Sequence, residues 1–459
     1  MRDLAFILFL AAILALGVRR PFIFALAYIY VDTVSPQRLS YYLLNSIPLS
    51  MIVAVMAMGG WLLFERKDHF TVTARQGLML LLLAYAGMTT LYADVPDAAW
   101  EKWDWAWKAL AFAIFLPLTM RSRLRIEAVL LFLTLSAAAI VIVGGIKTVL
   151  SGGGYGVLNL MVDNNSGLYE SSIISTVSIA LIPIILWFAR FGTIFPSDWR
   201  VKTFCYALIF ACLLMPVGTE ARTGLVCIAV LGLLQMRDMT MKRRLLFAGA
   251  ASALAIASIP FLPASFTQRM ETIQGYQADE SANTRLAVWG WTLEYVQRRP
   301  FGGGFGAYRQ NRIQVSTTNV QGGEGLQTVA TNTQADEGRA WHSSYFEMLG
   351  EQGWPGLFIF LAIQFISLVR LEIIRRRYRR AEGEDEWIAP LATSLQHFQI
   401  VYMIGSAFVQ TAFQSFGWFI VAVQIGFDVW LKRRDRSAAF RPIVHRGGTN
   451  FEDRALATR

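Results

Sequence analysis

Long apolar runs separated by short polar connections dominate the chain. The runs lie at Leu4–Val18, Phe22–Val31, Ser46–Phe64, Gly77–Leu91, Trp107–Met120, Ile126–Val149 and Ile173–Phe188. They continue at Phe204–Gly218, Gly224–Leu234, Leu245–Leu262, Tyr345–Val369, Leu391–Phe413 and Trp418–Leu431. A helix rises about 1.5 Å per residue, so about 20 apolar residues cross the hydrocarbon with their backbone polar groups bonded internally. The pattern predicts an all-α polytopic membrane protein of about 12–13 transmembrane helices. The shorter runs either re-enter the membrane or extend into flanking polar sequence. The first run has no small-residue cleavage site and leads through Arg19-Arg20 into more apolar sequence, so it reads as a retained span.

Charge changes the picture by giving the bundle a direction. Of 459 residues only 16% are charged, yet the net charge is +10. Lysine and arginine concentrate in alternate connections: Arg19-Arg20, Arg66-Lys67 with Arg75, Arg121/Arg123/Arg125, and Arg190/Arg200/Lys202. The same set continues with Lys242–Arg244, "RRRYRR" (Arg375–Arg380) and "KRRDR" (Lys432–Arg436). By the positive-inside rule these connections are cytoplasmic, and the C-terminus with them. The excess charge is then an orientation signal and not a nucleic-acid surface. Ser151–Ser172, the Thr219–Thr223 turn and the long Pro263–Ser343 connection fall outside the cytoplasm, on the periplasmic face of a bacterial inner membrane. Connections as long as the last one are usually functional, and short helices are expected in it. Cys205, Cys212 and Cys227 lie in apolar segments and read as buried small hydrophobes.

Candidate chemistry gathers on that outer face. "TEARTG" contains Glu220 and Arg222 between two spans; Arg222 reads either as an interfacial arginine paired locally with Glu220 or as an anion contact. In "ANTRLAVWGWTLEYVQRRPFGGGFGAYR", Leu286, Trp289, Leu293 and Val296 predict one helical stripe, capped by Asn283 or Thr284 and stopped by Pro300. Arg285 then sits in a first turn whose dipole disfavours it, a conflict that a bound anion resolves. The alternative is an arginine in water or paired with Asp279 or Glu280. "FGGGFGAY" lacks the Gly-Lys-Ser/Thr ending of a nucleotide loop and reads as a tight turn. Ser344 and Glu347 have capping-box spacing, so a helix starts near Ser344, with His342 just before it. A neutral imidazole there can take a proton from a hydroxyl, although an ordinary interfacial histidine has the same position. His69, His397 and His445 lie elsewhere, and no histidine or carboxylate cluster suggests a metal.

"GTEARTGL", "TRLAVWGWTLEYVQRRPFGGGFGAYR" and "WHSSYFEMLGEQGWPG" together resemble the O-antigen ligase and polymerase superfamily, over roughly Val201–Leu368. Glu220-Ala221 departs from it, standing where many relatives have small hydroxyl residues. The opening "MRDLAFILFLAAILALGVRRPFIFALAYIYVDTVSPQRLSYYLL" is similar to the O-glycosylation ligases associated with exosortase A systems. The resemblance implies a GT-C-like, metal-independent glycosyltransferase without cofactor, whose donor is a glycan on undecaprenyl diphosphate. Its acceptor would be a hydroxyl on a glycan, lipid or protein, and polysaccharide export machinery would be a further partner. Carried to matching positions, Arg222 and Arg285 would bind the diphosphate and His342 would orient or deprotonate the acceptor. Glu220, Trp289, Gly304, Arg309 and Tyr345 are secondary candidates. The expected regions are 1–195 (N-terminal spans), 196–370 (ligase-like core), 371–436 (basic loop and last two spans) and 437–459 (a disordered tail). "WEKWDWAWK" (Trp100–Lys108) reads as an interfacial aromatic belt or a sugar-stacking surface. Three other functions remain open: a polymerase joining lipid-linked repeats, a transporter or flippase of lipid-linked glycans, and a scaffold in a secretion complex. A transporter would place its charges near the bilayer midplane in interrupted helices.

Overall fold

A computed structural model describes residues 2–67, 71–153, 167–237, 239–264, 266–267, 280–321 and 328–439. His69, His445, Asp279 and the expected tail beyond 439 lie outside the described residues. Helices α1 (Arg2–Arg19), α2 (Phe22–Val34), α3 (Pro36–Leu39), α4 (Leu49–Phe64), α5 (Ala74–Leu91), α6 (Pro96–Thr119), α7 (Arg123–Ser151) and α8 (Ser171–Phe191) form the first half. The second half comprises α9 (Trp199–Gly218), α10 (Arg222–Gln235), α11 (Met241–Ser258), α12 (Glu280–Arg298), α13 (Ser344–Arg377), α14 (Ile388–Gly405) and α15 (Ser415–Ala439). A helix occupies every predicted span, and the chain is an all-α polytopic membrane protein. By length and composition α7, α8, α9 and α13 can each cross a membrane, while α2, α4 and α10 are shorter apolar helices.

The centre of the bundle is α8, which packs against α7, α9, α10 and α14. Its "SSIISTVSIALIPIILWFARF" puts apolar or small residues on every face, and nearly all of it is buried. By contrast α11 buries no residue, as suits a helix surrounded by lipid. Around α8, α6 packs on α15, α5 on α13 and α2 on α4 and α7.

Three features differ from expectation. The predicted span ending at Phe413 stops at Gly405, because residues 406–414 form a hydrogen-bonded cap over the start of α13. There Ser344 N donates to Ser406 O (2.8 Å) and Thr411 N to Ser344 Oγ (2.7 Å). The span predicted from Trp107 begins earlier, because "WEKWDWAWK" is part of a continuous α6 that starts at Pro96. Finally, the long connection contains strands as well as helices: β1 (Arg312–Gln321) and β2 (Thr328–Glu337) form an antiparallel hairpin pairing Arg312 with Glu337. Its Thr- and Val-rich sequence favours extended backbone, a signal that a search for long apolar runs passes over.

Ion pairs collect the basic connections at one end. Arg125 Nη1 reaches Glu65 Oε2 (2.7 Å), and Asp428 receives Arg75 and Arg370 (2.7 Å each). Glu372 pairs with Arg237 and Arg375, and Arg434 with Asp385. The turns at 92–95, 219–221, 301–306 and 406–414 meet at the opposite end, hereafter the loop end. Asp94 N there donates to Gly303 O (2.8 Å), and the Ser175 and Thr219 hydroxyls are 2.7 Å apart. Asp428 and Arg75 are almost fully buried, and removing one partner of such a pair leaves the other charge stranded. Asp428→Asn is therefore expected to cost about 3–5 kcal/mol, read as a lower melting temperature of the purified protein; an unchanged melting temperature rules this role out.

Candidate functional site at the loop end

The α9–α10 turn holds Arg222 in a tight frame. Thr219 Oγ1 donates to Met215 O (2.7 Å), and Ala221 N to Pro216 O (3.1 Å). Gly224 lies so close to Pro216 that a Cβ would come within 2.5 Å of its ring. Glu220 takes a left-handed conformation (φ 54°), which re-aims the chain so that Arg222 becomes the first residue of α10. Positive φ at a residue with a Cβ is costly and clusters at functional sites. Among the described residues only Ser35, Glu220 and His342 (φ 46°) adopt it without being glycine.

Arg285 stands on α12, but that helix starts at Glu280, one turn earlier than the expected cap at Asn283 or Thr284. The arginine is thus in the second turn, where the dipole penalty has faded. The expected stripe also splits. Leu286 and Leu293 are exposed, whereas Val288, Thr292 and Val296 are buried and Trp289 half-buried. Helical spacing puts Arg285 on the same inward face as Trp289, Thr292 and Val296.

Two tryptophans lock this face to the segment before α13. Trp289 Nε1 donates to Trp341 O (2.9 Å), and its ring stacks on Phe346 with centroids 4.8 Å apart. Trp341 is fully buried; its Nε1 donates to Thr292 Oγ1 (2.8 Å), and Gly350 leaves room for its ring. Trp341 directly precedes His342, so the interlock sets where the imidazole emerges. Surrounding protein and the nearby Arg285 and Arg339 guanidiniums hold the His342 pKa below its ordinary value, although part of the side chain reaches the surface. Arg285 also acts on Glu170. That carboxylate caps α8 by accepting from Ile173 N (2.7 Å), and burial raises its pKa while Arg285 opposes the rise. Ser175, one turn inside α8, carries the bond to Thr219. Arg285 thus acts electrostatically on both His342 and Glu170, and the Arg222 turn is bonded to the Glu170 end of α8 through Ser175 and Thr219.

The predicted capping box does not form. Ser344 and Glu347 begin α13 as expected, but Ser344 Oγ donates to Val409 O (2.8 Å) and Glu347 turns inward. Lys102 Nζ lies 2.6 Å from Glu347 Oε1 and 2.7 Å from Glu351 Oε2, facing both the Phe305 and Phe413 rings. Glu347 Oε2 accepts from Ala412 N (3.2 Å), and Glu351 Oε1 from Gly306 N (3.0 Å). One buried cluster thus ties α6, the glycine loop, the start of α13 and the 406–414 cap together. A full interior bond set leaves neither carboxylate for the helix terminus.

The glycine loop is a structural wedge. Gly302, Gly304 and Gly306 all have positive φ, and Gly353 breaks α13 opposite them. A Cβ on Gly304 would come 2.5 Å from Ala93 Cβ, so this residue is buried by packing. Arg309 is exposed and pairs weakly with Glu101 (3.4 Å), and Tyr345 OH donates to Met403 O (2.7 Å). Lys102, Glu351 and Glu170 escaped the sequence reading. The available signal was charge beside or within apolar helices, which marks functional or structural sites in membranes.

Residues 207–361 match the O-antigen ligase family, and residues 1–193 match a family of unknown function (DUF5935). No curated protein matches the chain significantly. The first match supports the ligase/polymerase superfamily and glycan transfer of that type.

Lys102→Met leaves two buried carboxylates facing each other without a cation, an expected loss of about 3–5 kcal/mol. Adding Glu351→Gln removes the repulsion but leaves Glu347 without its cation, so it should recover only part of the loss. Thermal melts of the two variants against wild type measure this, and equal melting temperatures for all three contradict it.

Proposed function

We propose that the chain transfers a glycan from undecaprenyl diphosphate to an acceptor hydroxyl at the loop end, needing neither metal nor nucleotide. The observation that carries this reading is the electrostatic action of Arg285 on His342, an imidazole set by the Trp289–Trp341 interlock, within the segment matching the O-antigen ligase family. In the step, the acceptor oxygen bonds to the anomeric carbon as the bond to the carrier phosphate breaks. The hydroxyl proton passes to the neutral His342 imidazole. The diphosphate leaves with the bonding electrons, and its developing charge is stabilised by fixed guanidiniums, Arg285 and Arg222. Attack opposite the leaving group inverts the anomeric centre.

The paired basic end supports a cytoplasmic location for it and a periplasmic one for the loop end. A reporter fused at Gln297 should then be active outside the cytosol. A polymerase would share the donor site and differ in its acceptor, another lipid-linked repeat. Cells lacking a ligase accumulate long lipid-linked chains, and cells lacking a polymerase accumulate single repeats. The break in α13 at Gly353 is filled by the glycine loop near the loop end, which disfavours a transporter with charged sites at the midplane.

Purified protein with an undecaprenyl-diphosphate glycan, an acceptor and a chelator should transfer the glycan. Arg285→Ala and His342→Ala should each lower the rate by at least about 10²–10³-fold while the protein stays inserted; wild-type rates in either variant contradict the assigned roles.

The pH profile gives an independent check. Because the His342 pKa is depressed, the imidazole stays neutral, and able to accept a proton, below its usual titration range. The rate should therefore hold as pH falls past about 6.5 and drop only lower. Arg339→Gln removes one of the depressing charges, so it should move the acid limb upward; a limb that stays fixed in kcat profiles excludes His342 as the titrating group.

A further inference from the structure

Helices α13, α14 and α15 each send one glutamine into the same half-open pocket. Gln364, Gln399 and Gln424 line this cavity, which has about 20 Å³ of room for water, and all three are buried. Gln399 Nε2 donates to Gln364 Oε1 (2.7 Å) and to Gln364 O (3.0 Å), which uses both of its hydrogens. Gln399 Oε1 and both polar atoms of Gln424 remain buried with no hydrogen-bond partner in the protein. Gln424 lies nine residues into α15, about 14 Å below the helix start, well within hydrocarbon depth. Unbonded carboxamides there are costly, and polar side chains inside spans face other polar groups or a hydrated space.

The lining selects the ligand. No charged side chain contributes to it; Phe360 and Trp418 form apolar walls, and Ser406 and Thr411 lead to the loop end. An ion is therefore disfavoured. The Gln399 and Gln424 oxygens, the Gln424 amide and the buried Tyr402 hydroxyl that also lines the cavity suit an oxygen that both donates and accepts. A cavity of this size exceeds the roughly 10–15 Å³ that one water needs, and it offers the two to four polar partners that hold one.

We propose that this cavity is a water-binding site in which an ordered water bridges Gln399 Oε1 and the Gln424 carboxamide. The water completes the contact between three helices whose loop-end segments include Tyr345, Ser406 and Thr411. It does not depend on the glycan-transfer reading.

The test is a structure of the full chain in lipid nanodiscs at about 2 Å resolution, with a double-mutant cycle of Gln399→Leu and Gln424→Leu. Expected are a single oxygen within about 3.2 Å of Gln399 Oε1 and of a Gln424 polar atom, and a double variant whose melting-temperature loss is smaller than the sum of the singles. Three results overturn the proposal: direct bonding of the two carboxamides with no density between them, density too large for one oxygen, or strictly additive losses. Should a leucine variant fail to fold, the wild-type density alone decides.

Discussion

Charge is expensive in hydrocarbon, and most of this architecture follows from where the chain puts it. An arginine or lysine at the centre of a membrane helix costs about 2.5–3.5 kcal/mol on insertion scales. Here most of the charged side chains are sorted to one end or the other, and those drawn inward are paired. At the basic end Asp428 gathers Arg75, Arg370 and Lys432, and Glu372 gathers Arg237, Arg375 and Arg376. At the loop end Lys102 holds Glu347 and Glu351 together. The two ends thus use the same physics, and both weld segments far apart in sequence, Arg75 to Asp428 at the first and Lys102 to Glu347 at the second.

That second weld organises the candidate site without belonging to its chemistry. Lys102 fixes α13 by its first two turns and, through Gly306, the loop that follows α12. Arg285 lies at the other end of α12, and His342 lies one turn before Glu347. The Trp289–Trp341–Thr292 interlock closes the circuit from the opposite side. Two rigid links therefore bracket the arginine and the histidine, which a surface loop alone would not hold in register. Left-handed backbone at Glu220 and His342 is affordable only in such a frame.

The departures from the sequence reading share a cause. Capping-box spacing at Ser344 and Glu347 is a local signal, and stronger non-local partners, the 406–414 cap and Lys102, claimed both side chains. The α12 stripe was read from hydrophobicity, but in a membrane-bound protein Leu286 and Leu293 can remain exposed at little cost. The hairpin at Arg312–Glu337 is encoded by β-branched residues in a polar stretch, where apolar runs carry no information.

Apolar run length by itself determined where the membrane helices lie, because the bilayer imposes length one segment at a time, and the alternation of arginine and lysine supplied the expected direction. Arg222, Arg285 and His342 were also legible, as polar residues at the edges of spans. Only the tertiary structure decided that Arg285 acts on Glu170, that Lys102 meets two glutamates some 245 residues away, and that glutamines from three helices share one cavity. Those encounters depend on which helices pack together, and packing in a membrane is chosen by shape and hydrogen bonding, which leave no periodic trace along the chain.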